Sequence, residues 1–173
     1  QKNSIVEYAQ PNYIYYADSV APNDEQYDML WGIKNTGQTI TDSSYSNSNP
    51  GRAGLDMNCE AAWDHVTDCS SVIVAVLDTG INYKHEDLAE NMWDGSSKGY
   101  YNHGYDFAHN DYDPMDLDGH GTHVAGTIGA VGNNGKGVTG ICWKVKLMAV
   151  RVLDGTGSIP YGTSNVIARG INF

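Results

Sequence analysis

The sequence predicts an α/β fold built on a parallel β-sheet, and three segments carry this prediction. Residues 71–77 form a nearly unbroken apolar run, which is typical of a strand buried on both faces in a parallel sheet. Residues 145–153 predict a second strand. Between them, residues 120–129 carry closely spaced glycine and alanine, which indicates a helix packed against a neighbour, because glycine's helix penalty of about 1 kcal/mol needs an offset.

The elements that precede the first of these strands follow from local composition. Residues 5–16 are rich in β-branched and aromatic side chains and predict a strand, followed by a linker at 21–24. Residues 39–54 are dense in small polar residues and predict an exposed loop. Residues 59–66 predict a short helix with Asn58 as its N-cap.

Two further segments flank the second half of the predicted sheet. Residues 106–118 hold several aspartates among Asn, Gly and Pro, so they predict a loop. Residues 161–173 predict the beginning of a helix with an apolar side formed by Val166, Ile167, Gly170 and Ile171.

The composition limits the classes of partner. The chain has 173 residues and a net charge of −11, which disfavours binding to a phosphate backbone and suits a soluble surface or cation sites with oxygen ligands. The longest apolar stretches are far shorter than the ~20 residues that span a bilayer. We therefore expect no nucleic acid partner and no membrane span. No leader pattern opens the chain at Gln1, which fits a cytoplasmic protein or one whose leader has been removed.

The cysteines match no known spacing pattern. Cys59, Cys69 and Cys142 are odd in number and form neither a zinc nor a CxxC motif, so we expect buried or free thiols. Ten residues of helix would span ~15 Å. A bridge between Cys59 and Cys69 is therefore not expected.

Three polar groups are expected to meet at the carboxyl edge of the sheet, where functional groups of parallel α/β proteins collect. They are Asp78 after the first strand, His120 at the head of the helix, and a turn at 155–158. An aspartate that orients a histidine is the base half of a nucleophilic hydrolase. Two alternatives remain: Asp78 marks only the exit of a strand from the core, or His120 and His123 bind zinc, for which a third ligand is not evident.

Five segments carry sequence blocks in a fixed order around Asp78 and His120. They are 74–81 (VAVLDTGI), 85–88 (HEDL), 118–127 (DGHGTHVAGT), 137–140 (GVTG) and 150–153 (VRVL). These blocks resemble those of the subtilisin-like serine protease family, in the same order, and the resemblance covers roughly residues 22–173. It implies a three-layer, parallel-sheet subtilisin-like fold, truncated at its C-terminal side, and a serine endopeptidase with Asp78 as the orienting acid and His120, not His123, as the general base.

The family's nucleophilic serine is expected beyond Phe173. The segment Gly162-Thr163-Ser164 matches the family's Gly-Thr-Ser only superficially, because Asn and Val follow it where the family has Met and Ala. Ser164 or Thr163 is better explained as a helix N-cap. We therefore expect the segment by itself to be inactive, with the oxyanion-hole asparagine also lying further along.

The resemblance also implies a substrate-binding segment. Gly155, Gly157 and Ser158 would pair with the substrate backbone as an added strand, and Tyr161 would flank a side-chain pocket. An ordinary surface turn is the alternative.

Calcium is the cofactor that the resemblance implies, because its ligands are carboxylate, amide and carbonyl oxygens. A strong site like that of thermitase-like members would use Asp24, Asp87, Val131, Asn134, Lys136 and Val138. A second, weaker site would use Asp106, Asp111 and Asp113, although His109 stands where an acidic ligand is expected. A solvated acidic loop is the alternative for this second group.

The first residues suggest a processing boundary. Residues 6–13 resemble the last strand of the family's inhibitory propeptide, so we expect residues 1–19 to be the end of a propeptide and its linker, and residues 20–173 the N-terminal part of the peptidase domain. The expected partners are protein or peptide substrates and the protein's own propeptide, and secretion is expected. A non-catalytic calcium-binding scaffold with the same fold is the alternative function.

Overall fold

The computed structural model describes residues 20–39 and 51–173. The strand predicted at 5–16, the propeptide-like segment and most of the loop at 39–54 lie outside the described residues. The described residues form three strands, three α-helices and several short 3-10 helices. The strands and α-helices are α1 (Cys59–Trp63), β1 (Asp68–Asp78), β2 (Gly104–Asp106), α2 (His120–Gly129), β3 (Lys144–Arg151) and α3 (Ser164–Ile171).

The three strands form one parallel sheet in the order β1-β3-β2. Strand β3 lies in the centre, with Val76 of β1 and Gly104 of β2 both aligned on Ala149. The predicted parallel sheet is therefore confirmed. Strand β1 is longer than expected and β3 ends at Arg151, two residues before the predicted end at 153.

Helices α2 and α3 cover opposite faces of this sheet. Val145, Leu147 and Ala149 alternate along β3 and belong to the same core cluster as Ala125 of α2. Gly170 of α3 instead packs against residues on the other face, including Val150 and Leu77. Because successive side chains of a strand point to opposite faces, the architecture is helix, sheet, helix, which is the three-layer arrangement that was expected.

Strand β1 is less buried than its apolar sequence predicts. Val72 and Ile73 remain 52% and 49% exposed, whereas Val76 is buried. Among the described residues β1 pairs only with β3 and forms an edge of the sheet. The prediction of a strand buried on both faces is therefore wrong for the first half of β1, because one side of that half has no neighbouring strand in the described part of the chain.

Helix α2 uses its small residues to approach the sheet. Gly121, Ala125 and Gly129 are buried, and a Cβ atom on Gly121 would collide with the carbonyl oxygen of Gly80. Gly126 makes no such close approach, because open space surrounds the position of its missing Cβ. The close contact at Gly121 brings the first turn of α2 against the carboxyl end of β1.

The two predicted helix caps have different outcomes. Thr163 caps α3, because its hydroxyl oxygen accepts a hydrogen bond from the Val166 amide. Asn58 makes no side-chain cap for α1 and adopts a left-handed conformation with φ 54°. Its amide instead donates to Asp56 Oδ1 at 2.8 Å, so the Asn58 prediction is wrong. Within the described ranges, no helix is long and apolar enough to cross a bilayer.

A disulfide joins Cys69 and Cys142, with their Cα atoms 6.0 Å apart. The expectation of thiols at these two positions is wrong, because the parallel pairing of β1 with β3 brings together residues that are 73 positions apart in sequence. Cys59 is a buried free thiol, so the prediction that Cys59 and Cys69 are not bridged is confirmed.

Candidate active site

Asp78 and His120 form the centre of the site. Asp78 is the last residue of β1 and His120 the first of α2, and Nδ1 of His120 lies 2.8 Å from Oδ1 of Asp78. The two side chains differ in exposure: 12% for Asp78 and 63% for His120. The pair therefore joins a buried carboxylate to an imidazole that solvent or a ligand can reach.

Asp78 raises the pKa of His120 above its ordinary value. The hydrogen bond from the imidazole to Asp78 contributes most, the negative charge of Asp78 adds to it, and the charges of Asp118 and Asp116 contribute less. Burial acts in the opposite direction. The protonated imidazolium is consequently favoured at this position, as a histidine that accepts a proton during a reaction requires.

The backbone around Asp78 fixes its carboxylate in place. The Thr79 amide donates to Asp78 Oδ1 at 2.7 Å. The amides of Val152 and Leu153, which follow β3, donate to the Asp78 carbonyl oxygen at 2.9 and 3.1 Å. The end of β1 is thus tied to the segment after β3.

Asp116 also belongs to the site, although the sequence predicts it only as one of several aspartates in the 106–118 loop. Its carboxylate accepts hydrogen bonds from Asp118, Gly119 and Thr122, the residues on both sides of His120. Burial acts to raise the pKa of Asp116, but these hydrogen bonds together hold it below the ordinary value. The sequence does contain an indication of this role: Asp116 lies four residues before the first residue of a predicted helix, and negative charge near a helix amino terminus stabilises the helix.

His123 is exposed on the same helix, and its amide donates to the Gly119 carbonyl oxygen. Nowhere in residues 20–39 or 51–173 do three or more His, Cys, Asp or Glu side chains group so that they could hold a metal ion. The zinc alternative for His120 and His123 therefore gains no third ligand in this part of the chain.

The predicted substrate-binding residues lie on a loop closed by its own backbone. Asp154 and Tyr161 pair antiparallel, with N···O distances of 2.8 and 3.2 Å. Gly155 is buried, and a Cβ there would meet Cβ of Asp118 at 2.6 Å. The loop therefore packs beside the turn that leads to His120. The remaining predicted residues, Gly157, Ser158 and Tyr161, are exposed.

Ser164 is the first residue of α3 and is exposed. No hydrogen bond within the described segments joins it to His120. Its position next to the Thr163 cap agrees with a role at the helix start.

The residues predicted to hold the first calcium ion converge from distant parts of the chain. Asp24 and Asp87 are 5% and 3% exposed. Asp87 accepts hydrogen bonds from the Asn134 side chain at 2.8 Å and from the Val138 amide at 2.9 Å. Asp24 accepts from the Asn133 amide at 2.7 Å and the Asn134 amide at 3.4 Å. Both carboxylates thus contact the 133–138 turn.

The chemistry of this group fits a hard cation. None of the ion pairs found between described residues involves Asp24 or Asp87, although both are buried. No hydrogen bond in the described ranges ends on the carbonyl oxygens of Val131, Lys136 or Val138, which leaves these oxygens available as ligands. A Cβ on Gly137 would press against the Asp87 carboxylate, so the turn lies directly on this group.

The second predicted calcium group is engaged in other contacts. Asp106 is 1% exposed, forms an ion pair with Arg151 at 3.1 Å and accepts from the His109 amide at 2.9 Å. Asp113 accepts from the Tyr83 hydroxyl at 2.7 Å, and Asp111 accepts from the Asp113 amide within the loop. Because Arg151 already neutralises Asp106, these contacts do not favour a second calcium ion at this group.

The subtilase family model (Peptidase_S8) matches residues 70–172. The chain belongs to the subtilase family. This subtilase segment is 40% identical to the thermophilic serine proteinase of Bacillus sp. (strain AK1) over 98% of its own length and 34% of that protein. It is 42% identical to thermitase of Thermoactinomyces vulgaris, over 65% of its own length and 36% of that protein.

A third relative and two solved structures agree with this assignment. The halolysin-like extracellular serine protease Nep of Natrialba magadii is 36% identical over 88% of this chain and 24% of its own. A protease of Pseudoalteromonas arctica PAMC 21717 superposes with a TM-score of 0.61 at 32% identity, covering 87% of this chain and 43% of that one. A cold-adapted subtilisin-like serine proteinase gives a TM-score of 0.51 at 30% identity over 83% and 40%.

The expected family and fold class are therefore confirmed. The segment spans about a third of the length of the first two relatives.

Proposed function

We propose that the protein containing this chain is a serine endopeptidase in which Asp78 orients His120 as the general base. The observation that carries the proposal is the 2.8 Å contact between a buried carboxylate at a strand end and an exposed imidazole at a helix start. Membership of the subtilase family supports it.

The two side chains divide the work of proton transfer between them. With its Nδ1 proton donated to Asp78, the neutral imidazole of His120 presents an unprotonated Nε2 that can accept the proton of a serine hydroxyl. Asp78 then stabilises the imidazolium and holds the ring in this tautomer. The same Nε2 returns the proton to the amine that leaves when the peptide bond breaks.

We propose that the nucleophilic serine comes from a part of the protein outside these 173 residues. Ser164 serves at the start of α3, beside the Thr163 cap. The relatives are about three times as long as the matched segment, which is consistent with a nucleophile encoded elsewhere.

The substrates in this proposal are proteins or peptides that lie along the loop closed by Asp154 and Tyr161. Gly155 places this loop against the turn before His120, and Gly157, Ser158 and Tyr161 are exposed there. An extended peptide paired with this segment would pass close to the base.

We also propose a structural calcium ion held by Asp24, Asp87 and Asn134 with the backbone of Val131, Lys136 and Val138. Two buried carboxylates without a basic partner in the described residues support it. When bound, the ion would neutralise these carboxylates and connect the segments that contain them. The role proposed for this ion is structural, and the proton transfers are assigned to side chains.

We also propose that the protein is secreted and is made with an inhibitory propeptide. Disulfides such as Cys69–Cys142 persist in oxidising compartments, and one relative is named as an extracellular protease. Residues 1–19 are proposed as the end of an inhibitory propeptide that is a partner of the peptidase before maturation.

The decisive experiment uses the whole protein with a fluorophosphonate serine probe and a peptide substrate. We expect stoichiometric labelling outside this segment. His120→Ala should abolish turnover, whereas His123→Ala, a change of the same type three residues along α2, should leave turnover measurable. A folded, calcium-binding protein that neither reacts nor cleaves would favour the non-catalytic scaffold, and labelling of Ser164 would overturn the assignment of the nucleophile.

A further inference from the structure

Asp116 is the most heavily hydrogen-bonded side chain near the Asp78–His120 pair. Its Oδ1 accepts from the Thr79 hydroxyl at 2.9 Å and from the amides of Asp118 and Gly119, both at 3.0 Å. Its Oδ2 accepts from the amide and the hydroxyl of Thr122, at 2.9 and 2.5 Å. In all five contacts an N–H or O–H group donates to the Asp116 carboxylate, so both of its oxygens accept hydrogen bonds.

These contacts replace the cap that α2 lacks. The residue before the helix is Gly119, which has no side chain and therefore gives no side-chain cap. The first amides of α2 bond instead to side chains from outside the helix: His120 to Asp118, Gly121 to Thr79 and Thr122 to Asp116. Asp116 thus completes the first turn of the helix that carries His120.

The Asp116 carboxylate also links the two halves of the pair. Thr79 follows Asp78 directly, donates to Asp116 and accepts from the Gly121 amide at 2.9 Å. Thr122 lies two residues after His120, donates to Asp116 and accepts from the Asn82 amide at 2.9 Å. One carboxylate therefore connects the neighbours of the acid with the neighbours of the base.

We propose that Asp116 is a positioning residue that sets the distance and orientation of His120 relative to Asp78. The inference rests on the proposed function for its effect on catalysis, whereas the geometric claim stands on the contacts above. Asparagine cannot replace Asp116, because whichever way its amide turns, the NH2 group faces N–H or O–H donors. The resulting mismatch should displace the first turn of α2.

The test compares Asp116→Asn with Asp118→Asn in the whole protein. Both changes remove one negative charge near His120, but among the described residues the Asp118 side chain accepts a single hydrogen bond, from the His120 amide at 3.2 Å. For Asp116→Asn we expect kcat to fall by about 10²-fold, as for small misplacements of reacting groups, with little change in KM. The low-field Nδ1 proton resonance of His120 should broaden or disappear.

For Asp118→Asn we expect the pKa of His120 to fall while that resonance persists, and we expect a much smaller loss of kcat than in Asp116→Asn. If the two variants have the same kcat and the same Nδ1 resonance, Asp116 acts only through its charge and the proposal is overturned.

A second pair covers the case in which Asp116→Asn does not fold. Thr122→Val removes the hydroxyl that bonds to Asp116, and Thr122→Ser retains it. We expect the valine variant to lose kcat and the Nδ1 resonance and the serine variant to keep both, and equal behaviour of the two would overturn the proposal. The Nδ1 resonance can be measured without turnover. An inactive but folded parent would therefore contradict the proposed peptidase function, while the Nδ1 resonances of the variants would still test the positioning role of Asp116.

Discussion

At the residue scale, the site depends on a difference in burial between two side chains in contact. Asp78 is held by the Thr79 amide at the edge of the core, while His120 is largely exposed. The buried carboxylate has few alternative partners, so its interaction with the imidazole is well defined. The exposed imidazole remains accessible to a reacting group.

Asp78→Asn should test this pair through both turnover and pH dependence. We expect turnover to fall by roughly 10⁴-fold, because the amide would favour the wrong imidazole tautomer. Asp78 raises the pKa of His120. In the proposed mechanism the base must be neutral, so we expect activity in the parent to appear only as pH rises through this raised pKa. The variant loses both the hydrogen bond and the charge. The acid limb of kcat/KM against pH should therefore move to lower pH, and an unchanged or higher limb would contradict the assignment.

At the element scale, β1 both carries Asp78 of the proposed catalytic pair and forms an edge of the described sheet. Its carboxyl end carries Asp78, while its first half, including Val72 and Ile73, is half exposed at the edge of the described sheet. An unpaired edge with exposed apolar residues favours association between chains.

We expect a protein consisting only of these 173 residues to aggregate or remain partly unfolded, and not to react with a fluorophosphonate probe. Size-exclusion chromatography and thermal denaturation would examine this directly. A soluble monomer with a sharp, reversible thermal transition would show that the edge of β1 needs no further partner.

The Cys69–Cys142 disulfide should stabilise the pairing of β1 with the segment before β3. It joins residues 73 positions apart, and closing a loop of that length stabilises by about 4 kcal/mol in the chain-entropy account. A Cys69→Ala/Cys142→Ala double variant should have a lower free energy of unfolding by an amount of this order. Reductant should lower the Tm of the parent but not of the double variant; an equal response of both would mean that the bridge contributes nothing.

At the scale of the whole molecule, the predicted calcium ligands connect the beginning of the described chain with its middle. Asp24 and Asp87 are distant in sequence, yet both contact the 133–138 turn. An ion bound here would hold together loops that the sheet alone does not connect.

Millimolar calcium should raise the Tm of the whole protein and slow its self-digestion. An ion that binds only the folded state adds about 4 kcal/mol at a thousandfold excess over Kd. Asp87→Ala should remove most of this gain. Asp111→Ala is the matched control and should retain it, because Asp111 lies in a separate exposed loop. Identical Tm values with calcium and with a chelator would contradict the calcium proposal.

Features encoded in contiguous residues could be predicted from the sequence. The apolar strand β1, the small residues of α2 and a hydroxyl cap of α3, by Ser164 or Thr163, were all predicted, because each is a local pattern. The blocks around Asp78 and His120 indicated the subtilase family, and the structure brings these two side chains into contact.

Contacts between residues distant in sequence could not be predicted in this way, because they depend on how the whole chain packs. The Cys69–Cys142 bridge, the Asp106–Arg151 ion pair and the contacts of Asp116 with Thr79 join segments separated by tens of residues. The exposure of Val72 likewise depends on which strands flank β1. Composition and periodicity indicate the secondary structure that a segment prefers. Strand order, register and helix placement determine which segments come into contact, and they are fixed only when the whole chain packs.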